Sequence, residues 1–240
     1  MVISNNLFCP ARFLGWLRRG GVFFILAICS VSALLSLPTL FAADVLAPLS
    51  EKILAGAEKK YGAEARKRLL DWTRLIADNR NKTELQKLHL VNEFFNRLPY
   101  VSDIQHWKVA DYWATPVETL ASNGADCEDF AIAKYFTLLA LNVRIEKLKI
   151  TYVKASSYNP INRSHMVLTY YATPNAVPLV LDNLIAEIKP ATQRRDLTPV
   201  YAFNGDGLWL AKERNTARVS SGPGNIRFWR ELRSRMGREF

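Results

Sequence analysis

Cys127 stands between Asp126 and the pair Glu128-Asp129, with Gly124 just upstream and an apolar run over residues 130–141 behind it. Ala131, Tyr135, Leu138 and Leu139 recur at helical spacing, and Phe130 and Ile132 widen that face. Asp126 suits the N-cap position, which puts Cys127 in the first helical turn. There the unpaired backbone N–H groups and the helix dipole favour a thiolate. A thiol nucleophile needs an imidazole to exchange protons with it and a group that orients the imidazole. His165 is the one histidine downstream of Cys127, and Asp182 sits in an apolar segment between Leu181 and Leu184. A carboxylate in such surroundings needs a charged or hydrogen-bonding partner, which His165 supplies if the two segments pair. Asn183 is the substitute if Asp182 faces away.

The competing reading makes Cys127 a small core residue at the foot of a buried helix. The N-terminus weighs against it. Arg12, Arg18 and Arg19 precede a nearly unbroken apolar run over residues 22–43, and no acidic residue occurs before Asp44. A basic start followed by a long apolar stretch signals export, either as a cleaved leader or as an uncleaved anchor with its arginines in the cytoplasm. Ile28 before Cys29 is too large for a lipoprotein site, and Arg18-Arg19 lacks the twin-arginine surroundings. Residues 44–240 are therefore expected outside the cytoplasm, in the periplasm, with residues 22–43 as the only membrane contact if they are retained. Cys9 and Cys29 both fall in the export segment, which leaves Cys127 as a lone thiol in an exported domain. No disulfide framework can be built from it, so the thiol itself needs a chemical role.

Removing the three leader arginines from 32 basic residues leaves 29 against 22 acidic ones, a net charge of +7. That balance favours contact with acidic surfaces or anionic headgroups; nucleic acid is excluded by export and by the lack of any matching motif. The basic residues are dense near the end, at Arg227, Arg230, Arg233, Arg235 and Arg238. A solvated helical face is the default for such a run, and an acidic docking partner is the sharper alternative.

The elements that must position these groups follow from periodicity. Residues 46–60, 64–77 and 83–98 read as three helices, the last with Leu85, Leu88, Val91, Phe94, Phe95 and Leu98 on one stripe before Pro99. His89 on that helix is expected at the surface. Residues 100–114 show no clear period, and their aromatic residues, Trp107, Tyr112 and Trp113 among them, suit a groove lining or core filling. Thr115-Pro116-Val117-Glu118 is a helix start with a capping box and proline at the first position. Beyond Asn142 the period becomes alternating, giving strands over 148–154, 164–171 and 178–185 and a hairpin around Asn204-Gly205-Asp206-Gly207. In the first strand Leu148, Ile150 and Tyr152 are expected inward, against Lys149, Thr151 and Lys154. Short turn-rich links favour antiparallel neighbours. The fold class is α+β, with helices first and a meandering sheet after them.

Several uncommon segments occur in one order: Trp113-Ala-Thr-Pro-Val-Glu118, Gly124-Ala-Asp-Cys-Glu-Asp-Phe-Ala-Ile-Ala-Lys-Tyr135, Thr151-Tyr-Val-Lys-Ala155, His165-Met-Val-Leu-Thr-Tyr-Tyr171 and Pro178-Leu-Val-Leu-Asp-Asn-Leu184. Over roughly residues 50–210 the chain resembles the bacterial transglutaminase-like cysteine peptidases. The resemblance implies a papain-like or transglutaminase-like fold and a triad of Cys127, His165 and Asp182. It also implies calcium dependence, with Asp126, Glu128 and Asp129 as ligands, and cleavage after a di-alanine in the N-terminal part of a large surface adhesin. An inner-membrane receptor for cytoplasmic cyclic di-GMP is the implied inhibitory partner, with biofilm dispersal as the outcome. Ala125 departs from the family, where a second glycine is frequent, and residues 211–240 match no known pattern.

Calcium also has an argument from the residues. Three carboxylates around a thiol oppose thiolate formation, and a cation held by six to eight oxygens would cancel that repulsion. One helical turn cannot aim all three the same way, so further loop ligands are required. Zinc is poorly served by one mature cysteine and scattered histidines. Another acyl-transfer enzyme of the same fold, a protein transglutaminase or murein-peptide hydrolase, uses the same triad; a non-catalytic binding module would not need it.

Overall fold

The computed structural model describes residues 49–156, 163–210, 218–220, 224 and 226–239. All of them fall within one compact unit. The export segment (residues 1–43), the start of the first expected helix and the whole 158–162 turn lie outside them. None of the described helices is long and apolar enough to cross a membrane.

Three helices lead: α1 (Glu51–Tyr61), α2 (Ala63–Asn79) and α3 (Glu84–Phe95). Ser50 caps the first, its hydroxyl accepting the Ile53 N–H, and Gly62 at φ 87° makes the sharp turn into the second, a conformation that suits glycine. Thr83 and Gln86 form a capping box at the start of α3. Leu88, Val91 and Phe95 are buried as the stripe predicts, but Leu85 is exposed and the buried face instead takes in Lys87 and Asn92. Helical spacing admits both positions next to Leu88 and Phe95, and apolar character alone selected the wrong neighbour. His89 is exposed, as expected.

After the single turn α4 (Asp103–His106), α5 (Pro116–Ser122) begins with the capping box of Thr115 and Glu118 and ends at Asn123, which adopts the left-handed conformation at φ 57°. The central helix α6 (Cys127–Ala140) is buried almost throughout, including Lys134, whose Nζ donates to Asn92 Oδ1 at 2.8 Å. Trp72 of α2 donates its indole N–H to Thr137 of α6 at 2.9 Å, so the helical layer is locked by polar as well as apolar contact.

The sheet has seven strands in the order β4-β3-β2-β1-β5-β6-β7, every neighbour antiparallel. Its members are β1 (Leu148–Ala155), β2 (Arg163–Tyr170), β3 (Leu179–Leu181), β4 (Lys189–Pro190), β5 (Leu197–Phe203), β6 (Leu208–Leu210) and β7 (Arg218–Ser220). Leu148, Ile150, Leu168 and Phe203 join the helical core. The opposite face is covered too: Val153, Val167 and Val180 form a second cluster, and Thr151, expected outward, is buried with its hydroxyl 2.8 Å from that of Thr169. The central strand is thus covered on both sides, where an alternating pattern predicts one. The third strand is shorter than expected and ends at Leu181, so Asp182 lies just beyond it.

The basic segment folds as α7 (Arg227–Glu239). Its arginines do not form a wholly solvated face. Arg227, Arg230 and Arg238 are exposed, Arg233 and Arg235 half-buried, and Trp229, Leu232 and Met236 are core. Trp229 stacks on Phe136 (centroids 5.6 Å apart) and meets Phe203 edge-on at 5.3 Å, which joins the helix to α6 and the sheet. Trp229→Ala should cost about 3–5 kcal/mol, measured as a lowered midpoint in urea, because the vacated volume lies among large rings with little freedom to collapse. A change below 1 kcal/mol, on the order of a surface substitution, would mean α7 is not part of the core.

Candidate active site

The loop ahead of Cys127 is clamped by the irregular segment before α5. Val101 N–H donates to Ala125 O at 2.9 Å and Ala125 N–H to Pro99 O at 3.3 Å, a short parallel bridge. A Cβ on Gly124 would lie 2.8 Å from the His106 ring, so glycine is required there for close approach. His106 Nε2 is 2.7 Å from the Ser122 hydroxyl, which fixes that ring. Of the two jobs considered for the aromatic residues of this segment, core filling is the one observed, at Trp113. His106, Trp107 and Tyr112 pack on one another beside the loop, and Trp113 is core, stacked on Phe203 and Phe228.

Asp126 takes the N-cap position of α6, with Cys127 in the first turn. The thiol donates to Glu128 Oε2 at 3.0 Å. Burial, then the Glu128 and Asp126 carboxylates, push the thiol well above its ordinary range; a backbone hydrogen bond from Met166 works in the opposite direction. That bond comes from the residue next to His165, so β2 lies directly against the sulfur.

His165 and Asp182 are brought together. His165 Nε2 is 2.8 Å from Asp182 Oδ1, with His165 5 % and Asp182 1 % exposed. Burial works to raise the Asp182 carboxyl, yet hydrogen bonds and charge from His165, helped by Leu184 N–H and Arg194, hold it down at about 2. Asp182 is therefore an acceptor only, and His165 must donate from Nε2, leaving Nδ1 to take up a proton. Asn183, held in reserve as the orienting group, is not needed for that bond. The loop is anchored from α3 and its C-cap: Asn96 donates to Asp182 O at 2.8 Å and Asn92 to Ala186 O at 2.9 Å.

The acidic residues around the thiol form a larger group than the three next to it in sequence. Asp103, Asp126 and Asp129 place carboxylate oxygens within 4.8 Å of one another, and so do Asp103, Asp111 and Glu128. Asp103 belongs to both sets. It and Asp111 were not foreseen, because the segment that carries them has no periodicity to place it. Asp129 Oδ1 accepts the Ala114 N–H at 2.7 Å and Asp103 Oδ2 the Tyr112 N–H at 2.6 Å. Asp126 Oδ1 and Asp103 Oδ1 are buried acceptors with no donor. Burial first, and neighbouring carboxylates after it, raise Asp103 to about 6, Asp126 to about 10 and Asp129 well above its usual range.

Orphaned, mutually repelling oxygens of this kind fit a hard divalent cation. Oxygens bound to calcium at about 2.3–2.6 Å lie at most about 5 Å apart, which matches the spacing here. Asp103 with Asp126 and Asp129, or Asp103 with Asp111 and Glu128, would hold the ion; Asp129 is also fixed by the Ala114 and Asp126 N–H groups. Asp103 and Asp111 thus lie with the expected Asp126, Glu128 and Asp129 in two overlapping carboxylate groups, and Asp129 is the least free of the expected three.

Residues 63–197 match the family model described as bacterial transglutaminase-like cysteine proteinase. The chain belongs to this family. No curated protein matches it. Among solved structures, Legionella pneumophila LapG is 42% identical, covering 79% of this chain and 99% of its own, with a TM-score of 0.67. A calcium-bound form of that protein (43% identity, 78% of this chain and 98% of its own, TM-score 0.66) and an EGTA-treated form (42% identity, TM-score 0.67, 79% and 100%) match equally well. As a member of this family the chain is a cysteine protease of transglutaminase-like fold, which agrees with the α+β architecture and the cysteine at the head of the central helix.

Proposed function

We propose that the protein is a calcium-dependent periplasmic cysteine endopeptidase that cuts the N-terminal region of a large surface adhesin at a di-alanine, under the control of an inner-membrane cyclic-di-GMP receptor. The observation that carries the reading is the setting of Cys127: the backbone of Met166, next to the buried His165–Asp182 pair, reaches its sulfur, and the carboxylate group flanks it. In this reading Cys127 is the nucleophile. His165 Nδ1 accepts the thiol proton and later delivers a proton to the leaving amine, while Asp182 fixes the ring and balances the imidazolium. A calcium ion, when bound, supplies positive charge that offsets the acidic residues around the thiol. Its presence in the calcium-bound relative, on a chain similar over its whole length, supports the same ion here. The basic leader and apolar run over residues 1–43 support export.

Incubating residues 44–240 with an adhesin N-terminal fragment, in calcium and in EGTA, tests the reading. We expect one cut at the di-alanine in calcium and none in EGTA. Incorporation of an amine into the fragment without a cut would identify a transglutaminase instead. In cells the full chain should fractionate outside the cytoplasm, and a version lacking residues 1–43 should fail to release adhesin.

A further inference from the structure

The His165–Asp182 pair is backed by a residue that the sequence motifs do not contain. Asp182 has two oxygens. Oδ1 accepts from His165 and, at 3.0 Å, from Leu184 N–H; Oδ2 accepts from Arg194 at 2.8 Å. Arg194 is 4 % exposed, far more buried than a surface cation. Its guanidinium is gripped from the other side by Asp196, with Nε on Oδ1 at 3.0 Å and an Nη on Oδ2 at 2.8 Å. That two-point grip fixes the plane of the fork, and with it the direction in which the shared Nη points at Asp182. The backbone is equally constrained: Arg194 N–H donates to Ala191 O and Leu197 N–H to Arg194 O, both at 3.0 Å, in the turn that feeds β5.

We propose that Arg194, held in plane by Asp196, is a positioning residue that sets the rotation of the Asp182 carboxylate and thereby the aim of the His165 ring at Cys127. The inference rests on the reading of Cys127, His165 and Asp182 as a working triad. A cation at Oδ2 weakens the carboxylate's pull on an imidazolium, so charge alone would be a poor reason for placing it there. Geometry is the better one. Leu184 N–H and Arg194 hold one oxygen each, which together fix the carboxylate's rotation and keep Oδ1 on the ring, and a small error in the ring's aim is costly in rate.

A bland role, simple neutralisation of buried Asp182, makes a different forecast for Arg194→Lys. Lysine keeps the charge but loses the planar fork and its two-point hold on Asp196. The measurement is the rate of Cys127 alkylation by iodoacetamide at neutral pH in excess calcium, alongside the melting temperature. It needs no knowledge of the substrate. His165→Ala sets the unassisted rate, and Cys127→Ala confirms the labelled site. We expect Arg194→Lys to melt close to the parent yet alkylate about tenfold or more slowly, a loss typical of a misaimed catalytic group. Asp196→Asn, which leaves Arg194 in place but loosens its plane, should slow alkylation by about threefold, since one charge-assisted contact weakens. Arg194→Lys reacting within about twofold of the parent, well under one tenfold step in free energy, overturns the inference. If Arg194→Lys does not fold, an unchanged rate in Asp196→Asn overturns it in the same way. Equal rates in His165→Ala and the parent would instead bring down the triad reading itself, so the two failures are distinct.

Discussion

Cys127→Ala should abolish peptide cleavage, a loss of about 10⁴-fold or more, while the melting temperature stays within a few degrees of the parent. The substitution removes one sulfur from a half-buried site and leaves the backbone N–H bonds of α6 untouched, so no structural term competes with the chemical one. It also removes the thiol that donates to Glu128 at 3.0 Å, which slightly reduces the number of satisfied partners there. His165→Ala should be comparably inactive, since no other imidazole lies downstream of the nucleophile. Asp182→Asn should fall between them and the parent. The amide can still accept from His165 but can equally donate to it, which permits the wrong tautomer, and the amide leaves Arg194 facing one anion fewer. Steady-state cleavage of the adhesin fragment, with circular dichroism on each variant, checks the series. Near-normal turnover by Cys127→Ala would end the thiol-protease reading, whatever the other variants do.

What the sequence reveals of this site depends on whether a residue belongs to a periodic element. Cys127 is legible because an apolar helical run follows it, and Asp126 because N-caps have a small vocabulary. His165 and Asp182 are legible as a polar pair at the ends of alternating segments. The strand expected over 178–185 nevertheless ends at Leu181, and Asp182 just beyond it turns its carboxylate to three donors. Asp103 opens the one-turn helix α4, and Asp111 and Arg194 lie in irregular segments, whose tertiary placement no local pattern fixes; Arg194 in particular reads as one more surface cation until Asp182 and Asp196 are seen around it. The last helix is only half legible, for a different reason: Arg227, Arg230 and Arg238 do form a solvated face, but the opposite face is buried. Five arginines drew attention to charge, while Trp229, Leu232 and Met236, spaced three and four apart, carried the signal of a buried stripe. Arg235 is itself part of the architecture. It donates to Trp113 O and lies over the Tyr112 ring at 4.4 Å, tying α7 to the segment that supplies Asp103 and Asp111.

Calcium should act on this protein in a way that depends on pH, and the sign follows from the carboxylates. In the metal-free protein, Asp103 is raised to about 6 and Asp126 to about 10, chiefly by burial and then by the acidic neighbours. A carboxyl whose folded value exceeds its unfolded one holds more protons when folded. Stability from that source is present at acidic pH and lost as pH rises from about 4 through the raised values. The metal-free melting temperature should therefore fall between about pH 4 and 7. Bound calcium favours the ionised oxygens, so its stabilisation should grow over the same range and oppose that fall. At a hundredfold excess over Kd it should contribute about 2.7 kcal/mol, roughly 5–10 °C in a domain of this size. Far-UV circular dichroism should change little, because the helical and sheet cores are built without the ion. Asp103→Asn separates these effects. The amide oxygen can still accept the Tyr112 N–H, but the variant loses the charge common to both carboxylate groups. Its metal-free form should melt above that of the parent, with a flatter pH dependence, while its calcium-induced shift and its cleavage activity are largely lost. A parent protein fully active in EGTA, with no calcium-dependent change in melting at any pH, would reduce these carboxylates to caps and solvated charges.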